Sequence, residues 1–181
     1  MLSYAISLIT DFYGDKRAKR SGVPLLNHVK EGAFLLNGLG APEACIVAFI
    51  LHPMFQPDSD LSKNFHILAN LDSLVVACIL EYRNIANASL SKMVYRDYSR
   101  DWAPLSLKRP IKLSPLGGVN QMLVADKVQN YKDFLKYHRD THERSDELEF
   151  YFNEWFRALG IDNRLSDLSA YLSLYDEKKV W

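Results

Sequence analysis

The sequence predicts an all-α fold in one domain spanning residues 1–181. Three observations support this. Apolar residues recur at three- and four-residue spacing along almost the whole chain, the period of a helix face. No stretch shows the sustained apolar–polar alternation of a half-buried strand; IVAFIL taken alone could be a strand, but its neighbours do not alternate. At 181 residues, with 48% apolar and 24% charged residues, the chain has ordinary globular composition and enough length to bury a core.

The elements follow in order. Leu2, Ala5, Ile6, Ile9 and Phe12 form one stripe, the first helix. The basic, glycine-containing segment GDKRAKRSGV breaks it, and Pro24 suits the first turn of the next helix. That helix turns Leu25, Val29, Ala33 and Leu36 inward and ends at NGLG, where Gly38 or Gly40 supplies a left-handed cap. Pro42 opens a third helix, PEACIVAFILH, apolar enough to be central, which Pro53 and Pro57 end. DLSKNFHILANL reads as a short helix, DSLVVACILEYRNIA as a longer one, and SLSKMVYRDYSR as a further amphipathic helix. DWAPLSLKRPIKLSPLGG, with three prolines and two glycines, is the longest candidate loop. VNQMLVADKVQNYKDFLKYH, DELEFYFNEWFRALG (closed by Gly160) and NRLSDLSAYLSLYDEKK are the remaining helices. There is no internal repeat and no low-complexity segment.

Lys plus Arg equals Asp plus Glu, at 22 each, so total charge indicates neither nucleic acid nor an anionic membrane surface, although a local basic cluster keeps an anion site open. Cys45 and Cys78 both lie in apolar helical stretches and read as buried reduced thiols. The N-terminal residues lack a positive n-region, Asp11 and Asp15 interrupt the first apolar run, and no run is long enough to span a bilayer. A cytoplasmic protein is expected.

The informative residues are polar ones set in apolar helices. His28 lies on the second helix, His52 ends the most apolar one, and Asp126 sits inside MLVADKV, where a helix interior disfavours Asp and burial of an unpaired carboxylate costs several kcal/mol. Asn130 follows one turn later on the same face. Singly, each has a structural explanation: a core His satisfied by a carbonyl, a helix Asp paired with Lys or Arg. Jointly, imidazoles and a carboxylate from three helices could converge on one divalent metal. His138 and His142, at i, i+4 in the charged segment KYHRDTHERSDE, read instead as a solvated face, and His66 has no evident partner. There is no phosphate-cradling Gly-rich loop, CxxC pair or nucleophile elbow.

The segment KRSGVPLLNHVKEGAFLLNGLGAPEACIVAFILHP resembles the start of the hydrolase domain of RelA/SpoT-type enzymes and their small metazoan homologues, members of the HD-domain phosphohydrolases. In that family an Arg-Lys-x-Gly-x-Pro-Tyr stretch precedes a first His, and an apolar helix ends in His-Asp. LVADKVQNYKDF is similar to the family's Ala-Asp-Lys-x-x-Asn helix, and EFYFNEWFRALG and the last helix resemble the C-terminal helices of the small hydrolases. The resemblance covers nearly the whole chain and implies an HD-type helical fold. It makes His28, His52 and Asp126 three of four metal ligands, with manganese as the expected ion. It also makes Asn130 a nucleotide contact, Lys19 and Arg20 the basic pair lining the nucleotide site, and Gly22 and Pro24 its turn. The family removes the 3′-pyrophosphate from guanosine tetra- or pentaphosphate, so the implied ligand is a phosphorylated purine nucleotide.

The departures fall on the chemistry. Pro53 stands where the His-Asp doublet requires a carboxylate, and proline neither coordinates metal nor accepts a proton. Gln56 and Pro57 stand where the family has the Glu-Asp pair that activates water, and Leu25 replaces a Tyr. Asp58 or Asp60 would substitute only if the loop were rebuilt. An acid–base residue alone is worth about 10²–10⁴-fold. The leading expectation is therefore a degenerate hydrolase that binds a phosphorylated nucleotide or a protein partner. The alternatives are an active metal-dependent nucleotide phosphohydrolase with an altered centre, and an interaction module presenting Phe150, Tyr151, Phe152, Trp155 and Phe156; those aromatics read more simply as core.

Overall fold

The computed structural model describes residues 1–19, 21–97 and 104–175. Among these, eight α-helices dominate: α1 (Leu2–Tyr13), α2 (Leu26–Gly38), α3 (Glu43–Leu51), α4 (Asp58–Leu68), α5 (Ser73–Ala88), α6 (Gly117–Tyr137), α7 (Ser145–Leu159) and α8 (Leu165–Ser173). None is long and apolar enough to cross a membrane. The HD-type architecture implied by the resemblance stays a proposal; the mostly helical fold is observed.

Helix α3 is the centre. Cys45 and every residue from Val47 to Leu51 are buried, because α1, α2, α5 and α6 all pack on it. Burial on all sides explains why its sequence is apolar all round rather than striped. Pro42 caps its start in extended backbone, and at its end the chain tightens into a 3-10 turn, His52–Met54, that carries Pro53 at its second position. Cys45 and Cys78 face each other across α3 and α5 as free thiols, with Sγ atoms 3.9 Å apart. Helix α7 is the clearest amphipathic element: Tyr151, Phe152, Trp155 and Phe156 are buried, Asp146 and Glu147 occupy its first turn where the helix dipole favours them, and Gly160 closes it at φ 65°. The interior is one contiguous apolar cluster drawing on seven of these helices and on α4.

Of the two glycines expected to cap α2 one is selected, and two other local expectations need correction. Gly40, at φ 65°, takes the left-handed turn after α2, while Gly38 is helical and lies under the Tyr171 ring. Pro24 does not begin α2: it pairs with Arg17 in an isolated antiparallel bridge, and Leu25 precedes the first helical residue. The basic segment is thereby folded back on itself, with Ala18 N–H donating to the Val23 carbonyl and Leu25 N–H to that of Lys16. SLSKMVYRDYSR is not the expected helix over its described residues, 89–97; residues 98–100 lie outside the described set. Ser91–Met93 form a 3-10 turn, and Val94–Arg96 (β1) pair antiparallel with Leu105–Leu107 (β2), Val94 opposite Leu107. Val94 is buried where β1 packs on α7. A β-branched and an aromatic residue at Val94 and Tyr95 suit a pleated surface better than a short exposed helix. The fold is mostly helical with this one small sheet, and the long candidate loop contains its second strand.

Candidate metal centre

Three helix ends and faces bring His28, His52 and Asp126 together. His28 comes from the first turn of α2, His52 from the end of α3, and Asp126 from the middle of α6. One ligand atom from each lies within 4.8 Å of the others. The two imidazoles meet edge to face at 5.3 Å, and both contact Phe49, at 5.7 and 4.9 Å.

The hydrogen bonds set which ring nitrogen faces the centre. His52 Nδ1 is 2.6 Å from the Phe49 carbonyl; an acceptor there requires the proton on Nδ1 and leaves Nε2 with a lone pair. For His28 the reasoning passes through Gln129. Its Nε2 donates to Glu31 Oε2 at 3.1 Å and to Asp133 Oδ2 at 2.8 Å, which fixes Oε1 as the atom 2.6 Å from His28 Nδ1. His28 Nδ1 is thus also the donor, and its Nε2 points at Asp126 Oδ1, 3.4 Å away. Two lone-pair atoms so placed call for a cation or a proton between them. Lys132 pairs with Glu31 at the far end of this chain of contacts. Outer partners of this kind orient histidines for metal.

Asp126 is held from both sides. Asn130 Nδ2 donates to Oδ1 at 2.9 Å, and Lys127 Nζ to Oδ2 at 2.8 Å. Burial pushes its carboxyl pKa up, but Lys127, followed by the two imidazoles, outweighs burial and holds it at about 2. Burial, then the neighbouring His28, pushes His52 down to about 3, so it is a neutral base. Tyr82 lies with its ring 4.8 Å from that of His52, and burial followed by the Asp126 carboxylate raises its hydroxyl pKa well above the usual value, keeping it protonated.

Comparison with protein-family models, curated proteins and solved structures gives no match. The geometry therefore stands by itself. Two imidazoles, each with its Nδ1 committed to a neighbouring oxygen, and one ionised carboxylate are a donor set that fits a divalent transition metal. The three residues could hold such an ion; its identity is not fixed by them.

The centre opens into a cavity of about 520 Å³, in the range of small-molecule sites. One wall is apolar, from Phe134, Leu148, Tyr151 and Phe152; Asn130, Asp133, Gln56 and Pro53 line other parts. A second cavity of about 740 Å³ shares Tyr13, Leu25, Pro53, Gln56 and Leu90 with it and contains Asp58 and Asp60. Lys19 is exposed, between Ala18 and Ser21, which do line the first cavity; Arg20 lies outside the described residues. Asp58 points outward and pairs with Arg83, which also donates to the Phe55 carbonyl at 2.9 Å. His138 caps α6, and His142 lies beyond the helix, so the two are not on one helical face.

Sequence reasoning missed Lys127, Gln129, Glu31 and Tyr82. A signal was present for the second: Asp126, Gln129, Asn130 and Asp133 form a polar stripe at helical spacing inside a helix otherwise read as apolar.

Proposed function

We propose that this protein binds one divalent metal at His28, His52 and Asp126, and uses that centre to hold a phosphorylated nucleotide with little or no hydrolysis, as a degenerate member of the HD phosphohydrolase group. The observation that carries the reading is the pair of histidines whose Nδ1 atoms are committed to Phe49 and Gln129, with His28 Nε2 3.4 Å from Asp126 Oδ1 and a ligand atom of each of the three residues within 4.8 Å of the others. A divalent ion there would supply Lewis acidity and positive charge toward a phosphate group. Asn130, Gln56 and the apolar wall of the cavity would position the remainder of the ligand, with Lys19 and Arg20 as further anion contacts.

Impaired hydrolysis is supported by what stands around the centre. Pro53 is buried and lines both cavities where a fourth ligand would stand. Asp58 is engaged with Arg83 and almost wholly exposed, so it is poorly placed as a base. Asp60 lines only the second cavity. The reading includes a reducing, cytoplasmic setting, supported by the unbridged thiols of Cys45 and Cys78.

The test is a thermal-shift series with guanosine tetraphosphate and common nucleotides, with and without manganese, run beside phosphate and pyrophosphate release. Metal-dependent stabilisation with release at background is expected. Release that disappears in Asp126→Ala would establish an active hydrolase instead. No shift with any nucleotide would leave only a structural or partner-binding role.

A further inference from the structure

Lys127 is the one cation among the described residues buried against the centre. It is 6% exposed. Its Nζ lies 2.8 Å from Asp126 Oδ2, 4.8 Å from the centre of the Trp155 ring and 5.5 Å from that of Tyr151. Trp155 is fully buried and Tyr151 nearly so. An ammonium group packed against two aromatic faces and a carboxylate, at the inner wall of the first cavity, is held in place by its surroundings. It differs from a surface lysine that swings aside when another cation arrives.

We infer that Lys127 is a built-in competitor of the metal, holding Asp126 and keeping the affinity of the His28–His52–Asp126 centre for divalent ions low. The inference rests on the proposal that the centre binds metal, and concerns how tightly. The charge count gives the direction. Asp126 supplies the one negative charge of the cluster, the charge that attracts a divalent ion. Lys127 neutralises that charge before any metal arrives. Its charge also repels an incoming ion across a few ångströms of poorly screened interior. Its hydrogen bond occupies one carboxylate oxygen, and Asn130 donates to the other, so metal must displace or share a donor on either side. The centre is therefore stable without metal and loads when a ligand adds negative charge. A phosphorylated ligand and the ion would then bind cooperatively.

A purely structural counter-ion would behave in the opposite way. Its removal would disorder Asp126 and weaken metal binding or leave it unchanged. The discriminating experiment is isothermal titration of the full chain with manganese alone, comparing wild type with Lys127→Gln and Lys127→Arg. Gln removes the charge but keeps a donor for Asp126; Arg keeps the charge. The expected result is a Kd at least about tenfold lower in Lys127→Gln, with Lys127→Arg near the wild-type value. If far-UV circular dichroism shows Lys127→Gln unfolded, Lys127→Met, which keeps the apolar stem against Trp155, is titrated in its place with the same expectation. Binding that emerges only in the charge-removed variant also supports the inference. An equal or weaker affinity in that variant, with wild type still binding, overturns the inference and leaves the metal proposal standing. No binding by any of these proteins at millimolar manganese overturns both.

Discussion

His52 illustrates how a single residue links the centre to stability. Burial and then the adjacent His28 lower its pKa from 6.5 to about 3, so the folded metal-free chain refuses a proton that the unfolded chain accepts throughout that interval. Its contribution is fully present above about pH 6.5 and is lost as pH falls toward 3, at about 1.4 kcal/mol per pH unit for one proton. Asp126, held at about 2, has the same sign and acts lower, between its ordinary value of 3.8 and about 2. Urea melts of chelator-treated protein between pH 7 and 4 should show this slope, and His52→Gln should flatten it. An unchanged slope in the variant would assign the acid sensitivity elsewhere. His28, His52 and Asp126 were legible in the sequence because polar groups in apolar helices need a shared explanation. Lys127 was not, because its burial depends on Trp155 and Tyr151, which only the packing of α7 on α6 brings beside it.

At the scale of elements, the centre depends on how closely α2 approaches α3. Gly32 sets that distance: a Cβ built there would lie 2.2 Å from a ring carbon of Phe49. Phe49 in turn contacts both imidazoles. Gly32→Ala is therefore expected to cost about 1–3 kcal/mol as an overpacking substitution, offset only slightly by its better helix propensity, and to weaken metal binding by displacing His28. A denaturant midpoint equal to wild type would show that the helices tolerate the separation. The boundaries of most helices could be read from prolines, glycines and the 3.6-residue period. The β1–β2 hairpin could not. Its strands are three residues each and separated by Asp97, Pro104 and six residues between them that lie outside the described set, so alternation had no length over which to register. The contact of β1 with α7 that favours it is long-range.

For the molecule as a whole, helices α2, α3 and α6 converge on one point, and a cleft leads from it along Pro53 and Gln56. The chain of contacts from Lys132 through Glu31, Gln129 and His28 to Asp126 and Lys127 crosses two helices and balances its charges internally. Such a network holds His28, His52 and Asp126 in place without an ion, which suits the proposed reading of a centre that keeps its ligands but lacks the acids to activate water. The helical scaffold was legible from periodicity, whereas the proposed loss of hydrolysis rests on Pro53, Gln56 and Pro57, where an absent carboxylate leaves no pattern of its own. The central claim is that the centre holds a divalent ion. Elemental analysis of protein equilibrated with excess manganese, with free ion subtracted, tests it most directly in wild type and in His28→Ala, a partly exposed ligand position whose loss the fold should survive. One ion per chain in wild type and none in His28→Ala is the expected result; an equal, non-zero metal content in the two proteins, or none in wild type and in Lys127→Gln alike, would contradict it.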